Sequence, residues 1–242
     1  MTQIQSQWLD ISAGLRAWYA RPKEKGPFPA VLVFIEAFGV NEHFQDVAER
    51  LAREGYCAVV PDSYHGRVYD YTDFSSAIGH LKTLRDAQVM AEARATLEHV
   101  RSRPEVRPGR VGVVGFCMGG RYAFMANAEL ADSVSVAVAF YGGGIAPEKD
   151  PAGRQPLLHL AESMQAPITL LYGAEDTSIL PDEHGRIATA LSRAKKRYNL
   201  SVFPDAPHGF FSDRRDSYRA GPAQAAWQIT LQQFREYLGD QA

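Results

Sequence analysis

The chain has 242 residues, 45% of them hydrophobic and 22% charged, with a formal net charge of −2. That much apolar material supports a sizeable core and excludes a disordered chain. No basic run or stripe is present, so nucleic acid is not an expected partner, because neutralising phosphates takes clustered Lys and Arg.

In chain order, Met1 to Asp10 carries no basic stretch followed by an apolar core, and no later segment approaches the roughly 20 apolar residues that cross a bilayer. The expectation is a cytoplasmic protein with no membrane partner. Gln5 to Asp10 and Leu15 to Tyr19 flank Ser12-Ala13-Gly14, which predicts a hairpin and hence an antiparallel edge. Ala30 to Ile35, Tyr56 to Val60, Val111 to Phe116, Val136 to Tyr141, Ile168 to Tyr172 and Tyr198 to Phe203 are short apolar runs rich in β-branched or aromatic side chains. They predict buried strands. Between the first two, Phe44, Val47, Ala48, Leu51 and Ala52 recur at helical spacing, with Asn41 as N-cap and Gly55 as terminator. Met90, Ala93, Leu97 and Val100 mark a second apolar helix face, and Trp227, Leu231, Phe234 and Leu238 a third. Asp62 to His80, Tyr/Asp-rich and weakly periodic, is expected to be a loop or cap near the strand ends. Strands alternating with helices imply parallel crossovers, so the predicted class is α/β, a mostly parallel sheet with helices on both faces. With no repeat and no linker long enough to divide it, residues 1–242 are expected to form a single domain. Cys57 sits inside a strand run, and both it and Cys117 are expected to be free thiols.

The chemistry concentrates at Gly115-Phe116-Cys117-Met118-Gly119. Cys117 stands where a strand gives way to a helix, and glycines two before and two after leave room for a cramped turn. There the side chain is exposed at the carboxyl end of the sheet, where open α/β folds bind ligands. The amides of the following helix can stabilise an oxyanion, and the same partial positive charge favours a thiolate. A buried cysteine with no role is the alternative for so short a motif.

Acyl transfer by a thiol also needs a proton carrier. His208 lies in Asp205-Ala206-Pro207-His208-Gly209-Phe210, after the last strand and before the last helix. His43 and His99 fall on helical patterns and are expected to be solvated; His159, between leucines, is expected to pack or hydrogen-bond. His65, His80 and His184 are weaker alternatives, and no pair has convincing metal-ligand spacing. A carboxylate must orient the imidazole, and Asp176 in Tyr172-Gly173-Ala174-Glu175-Asp176 runs off a strand end, with Glu175 its nearest competitor. The order Cys117, Asp176, His208 is the nucleophile, acid, histidine order of α/β-hydrolases.

These motifs resemble the dienelactone hydrolase family, from about the first strand to the C-terminal helix. Gly115 to Gly120 matches the family's elbow, Asp176 and Pro181 its acid turn, and His208-Gly209-Phe210 its histidine loop. Glu36, in Phe34-Ile35-Glu36-Ala37-Phe38-Gly39-Val40-Asn41, matches a glutamate that in the family contacts the resting cysteine and takes its proton when substrate displaces it. By analogy the oxyanion donors are the amides of Ala37 and Met118, and Tyr141 matches a pocket position. The family's carboxylate-binding arginine, four residues after the histidine, is replaced by Ser212. Arg214 and Arg215 are close by, Arg67 is the candidate for the family's other arginine, and Tyr141, Arg67, Phe210 and Arg214 are the expected substrate-binding residues. The resemblance implies hydrolysis of a small ester or lactone of the carboxymethylenebutenolidase type through a thioacyl-enzyme, without cofactor or metal. A general carboxylesterase or thioesterase would share the triad, and a non-catalytic ligand-binding homologue would keep the fold alone.

Overall fold

A computed structural model describes residues 2–150 and 152–239 of the chain. It opens with the hairpin, β1 (Ile4–Ser12) and β2 (Leu15–Pro22), turning at Gly14, whose φ of +80° suits a residue without a Cβ. Six more strands follow: β3 (Ala30–Phe34), β4 (Cys57–Pro61), β5 (Val111–Phe116), β6 (Val134–Phe140), β7 (Ile168–Gly173) and β8 (Tyr198–Phe203). They form one eight-stranded sheet in the order β1-β2-β4-β3-β5-β6-β7-β8. The pairs β1–β2 and β2–β4 are antiparallel, and every later neighbour is parallel. Every residue of β3, β4, β5 and β7 is buried, so both faces of the central sheet are covered, as continuous apolar runs predict. This is the α/β-hydrolase type of architecture.

The helices are α1 (Glu42–Arg53), α2 (Phe74–Leu81), α3 (Asp86–Arg101), α4 (Met118–Glu129), α5 (Pro181–Arg193) and α6 (Ala220–Leu238). A 3-10 turn spans Leu158–Ser163. In α1 the Asn41 side chain accepts from the Phe44 amide at 3.3 Å, and Phe44, Val47, Ala48, Leu51 and Ala52 are buried against the sheet. His43 departs from the expectation of a solvated residue: it is wholly buried, edge-on to Phe44 and Phe211. It stands four residues before Val47 and so falls on the apolar face.

Asp62 to His80 is not loop throughout. Its last part enters α2, capped by the Asp73 side chain on the Ser76 amide. Three expected strand ends, Ile35, Tyr56 and Tyr141, lie just outside β3, β4 and β6, and at Tyr141 the backbone turns to φ +35°. The parallel strands therefore release Glu36, Cys117, Tyr141, Asp176 and His208 at their common carboxyl ends. Among the described residues no helix is long and apolar enough to cross a membrane.

Candidate active site

Cys117 connects β5 to α4 with φ 56° and ψ −117°, a conformation that strains a residue with a side chain by about 1–3 kcal/mol. Close packing sustains it. A Cβ on Gly115 would overlap the Gly119 carbonyl, and one on Gly119 would overlap the Phe34 carbonyl, so both glycines let α4 press onto β3 and β5. The Cys117 amide is spent on the Phe140 carbonyl at 3.0 Å, which ties the turn to β6.

His208 donates from Nδ1 to Asp176 Oδ2 at 2.7 Å. Asp176 is buried, and its other oxygen accepts from the Ser178 hydroxyl at 2.6 Å and from the amides of Ser178 and Ile179. Burial alone would raise this carboxyl, but His208 and Ser178 outweigh it and hold it below the usual range. Glu175, the competing acid, is exposed. At His208 burial opposes the charged form, whereas Cys117 and Asp176 favour it, and the pKa is pushed up to about 10. With Nδ1 taken, Nε2 is the nitrogen left for a thiol or a substrate.

Glu36 is fully buried, yet its partners are the Tyr141 hydroxyl, which donates to Oε1 at 2.9 Å, and Arg215, which donates to Oε2 at 3.3 Å. No hydrogen bond joins Glu36 to Cys117 among the described residues; both carboxylate oxygens are taken by Tyr141 and Arg215. Arg215 also lies over the rings of Phe38 and Tyr71, at 5.2 and 5.5 Å. Gly209 makes room for it, since a Cβ there would meet Arg215 Nη1 at 2.5 Å.

A cavity of about 370 Å³ brings Cys117, His208, Ser178 and Arg215 together with Ala37 and Met118. Met118 opens α4, where the first amides have no intrahelical acceptor. Phe74, Ile78 and Leu81 of α2 supply an apolar wall, and Lys82, Lys149, Asp150, Arg154 and Glu183 a polar one. A thiol, an oriented imidazole and helix-terminal amides around one cavity are the parts that acyl transfer needs.

The model of the dienelactone hydrolase family matches residues 15–238. The chain belongs to the dienelactone hydrolase family. A relative from Synechocystis sp., provisionally named a carboxymethylenebutenolidase, is 35% identical over 98% of this chain and 96% of its own length. One from Bradyrhizobium sp., provisionally named a 2-oxo-3-(5-oxofuran-2-ylidene)propanoate lactonase, is 31% identical over 97% of this chain and 96% of that protein. The crystal structure of a provisionally named dienelactone hydrolase from Klebsiella pneumoniae superposes with a TM-score of 0.89 at 34% identity, over 97% of this chain and 100% of that one.

Within this dienelactone hydrolase fold, several residues expected at the substrate lie elsewhere. Arg214 points away to an ion pair with Glu42, and Arg67 is exposed, its carbonyl packed against Gly39; neither lines the Cys117 cavity. The loop after His208 bends so that Arg215, one residue further on, enters instead. Tyr141 and Phe210, with ring centroids 5.3 Å apart, are both fully buried behind the cavity and neither lines it. His80 stacks on Tyr64, His184 on Tyr172, and His65 bonds to the Gly14 carbonyl, so none of the three alternative histidines reaches the cavity. His159 is exposed and donates to the Pro156 carbonyl, the hydrogen-bonding half of its expected role. Ser178 and Glu183 had no sequence signal beyond lying in a turn and the helix after it.

Proposed function

We propose that this dienelactone hydrolase family member cleaves a small ester or lactone through a Cys117–His208–Asp176 triad and a thioacyl intermediate. The observation that carries the reading is the 2.7 Å bond from His208 Nδ1 to Asp176, in a ring that also lies against Cys117. Cys117 passes its thiol proton to His208 Nε2 as its sulfur attacks the carbonyl carbon, and the oxyanion that forms is met by the amides of Ala37 and Met118. Collapse expels the alkoxide, to which His208 gives its proton; in a lactone that oxygen stays tethered to the acyl group. Water, deprotonated by His208, then attacks the thioester and releases the acid and the thiol. Arg215 is the group for a substrate carboxylate, because its guanidinium faces the cavity while Arg154 is closed onto Asp150 at 3.0 Å. A carboxylate on Arg215 competes with Glu36 and frees that side chain to turn towards Cys117. The substrate named for the Bradyrhizobium relative, a lactone bearing a carboxylate, fits this pattern.

Mixing the protein with an activated aryl ester and quenching within the burst should give a protein mass increased by one acyl group, on the peptide containing Cys117. Cys117→Ala should lose the adduct and about 10³-fold or more of kcat/KM. Turnover with no acyl adduct, or full activity in Cys117→Ala, sinks the mechanism; absence of any turnover by the wild type favours a ligand-binding homologue.

A further inference from the structure

Glu183 lines the same cavity and has no part in the proposed reaction. It stands in the first turn of α5 and is only 4% exposed. Its Oε1 accepts from the Ala146 amide at 3.0 Å, tying α5 to the segment after β6. Its Oε2 has no hydrogen-bond partner among the described residues. One oxygen is enough for the structural tie, and the second, open to the cavity, is left for whatever binds there.

We infer that Glu183 is a specificity residue, donating a hydrogen bond from its free oxygen to a carbonyl or carboxylate oxygen of the substrate remote from the ester bond. The inference rests on the reading of this cavity as the substrate site. It makes the preferred ligand two-ended, with one anionic end on Arg215, the other oxygen on Glu183, and an apolar middle against α2.

The surroundings shift the balance towards the protonated, donating form. Burial is the largest influence and raises the carboxyl above its usual range; Asp176 after β7 and Asp150 after β6 push the same way. The Ala146 amide and Arg186 on α5 itself oppose this. Of the other groups facing it, Arg154 is neutralised by Asp150, and the Tyr172 phenol beneath is held protonated by its own burial. A donor that exists only while protonated works below the Glu183 pKa and is lost as pH rises through it, when an ionised Glu183 repels the anionic end it had held.

Binding of unreactive linear dicarboxylates from succinate to suberate, each against the monocarboxylate of equal length, tests this by calorimetry from about pH 5, just above the ordinary glutamate range, to about pH 9. In the wild type one chain length should bind about tenfold tighter than its monocarboxylate at the acid end, and that advantage should vanish at the alkaline end. Glu183→Gln keeps the acceptor for Ala146 and turns an amide N–H to the cavity, so its advantage should persist at every pH. Glu183→Leu should show none. An advantage that falls with pH equally in wild type and Glu183→Gln, or no advantage for any dicarboxylate, overturns the inference. Turnover of 4-nitrophenyl acetate by the wild type is read in parallel. Its absence would count against the hydrolytic reading without touching the binding result.

Discussion

Burial disfavours a charged imidazole at His208, yet Cys117 and Asp176 both favour it, and the balance lifts the pKa from 6.5 to about 10. A group whose folded pKa is raised contributes stability that is complete below the unfolded value, near 6.5, and is lost as pH rises through about 10. Because Cys117 is the strongest of the raising influences, Cys117→Ala should lower the midpoint of the His208 ring signals in an NMR titration. An unchanged midpoint would mean that the thiol and the imidazole are uncoupled. At this scale legibility followed backbone demands. Cys117 and His208 could be read because each sits beside a glycine that the local geometry requires, at 115, 119 and 209. Arg215 could not, since one residue of register in an irregular loop decides whether an arginine enters the cavity or, like Arg214, meets solvent and Glu42. Nor could the contact of Glu36 with Tyr141 and Arg215 in place of Cys117, because spacing says nothing about which of several buried partners a carboxylate takes.

Between residue and fold, α2 is the element that shapes what the cavity accepts. Phe74, Ile78 and Leu81 recur at helical spacing and form its apolar wall, yet Phe74 is 56% exposed. An aromatic left in water at the mouth of a cavity gains burial only when something apolar is bound. Phe74→Ala should therefore raise KM for esters with an apolar chain by about tenfold, the equivalent of roughly 1.4 kcal/mol of lost contact, while leaving kcat nearly unchanged. A fall in kcat with constant KM in steady-state assays would place α2 in the chemical step instead. The same helix shows where element prediction failed. The central strands were legible because burial on both faces forces continuous apolar runs, and α1 because one wet face forces amphipathic spacing. β8, expected to be buried, is instead an edge strand with no fully buried residue, since among the described residues no further strand covers its outer side. In α2, Ser75, Ser76 and Gly79 dilute the periodicity, and its apolar side faces a cavity as much as the core.

For the molecule as a whole, the site depends on segments far apart in sequence being held to one another, and Arg121 does much of this. It follows the elbow glycines on α4, is wholly buried, and donates to Asp86 in the first turn of α3 and to the carbonyls of Gly144 and Gln155. One planar, five-donor group thus joins two helices to the segment after β6 that gives the cavity Gly143, Gly144, Asp150 and Arg154. Truncating it leaves two carbonyls and a part-exposed carboxylate without their partner and empties a buried site, a loss at the low end of the roughly 3–5 kcal/mol that breaking a buried pair from one side costs. Arg121→Ala should lose about that much in urea unfolding, and Arg121→Lys should recover only part, because an ammonium cannot fork to three acceptors on different segments. A loss below about 1 kcal/mol for Arg121→Ala would show that packing alone holds these segments together.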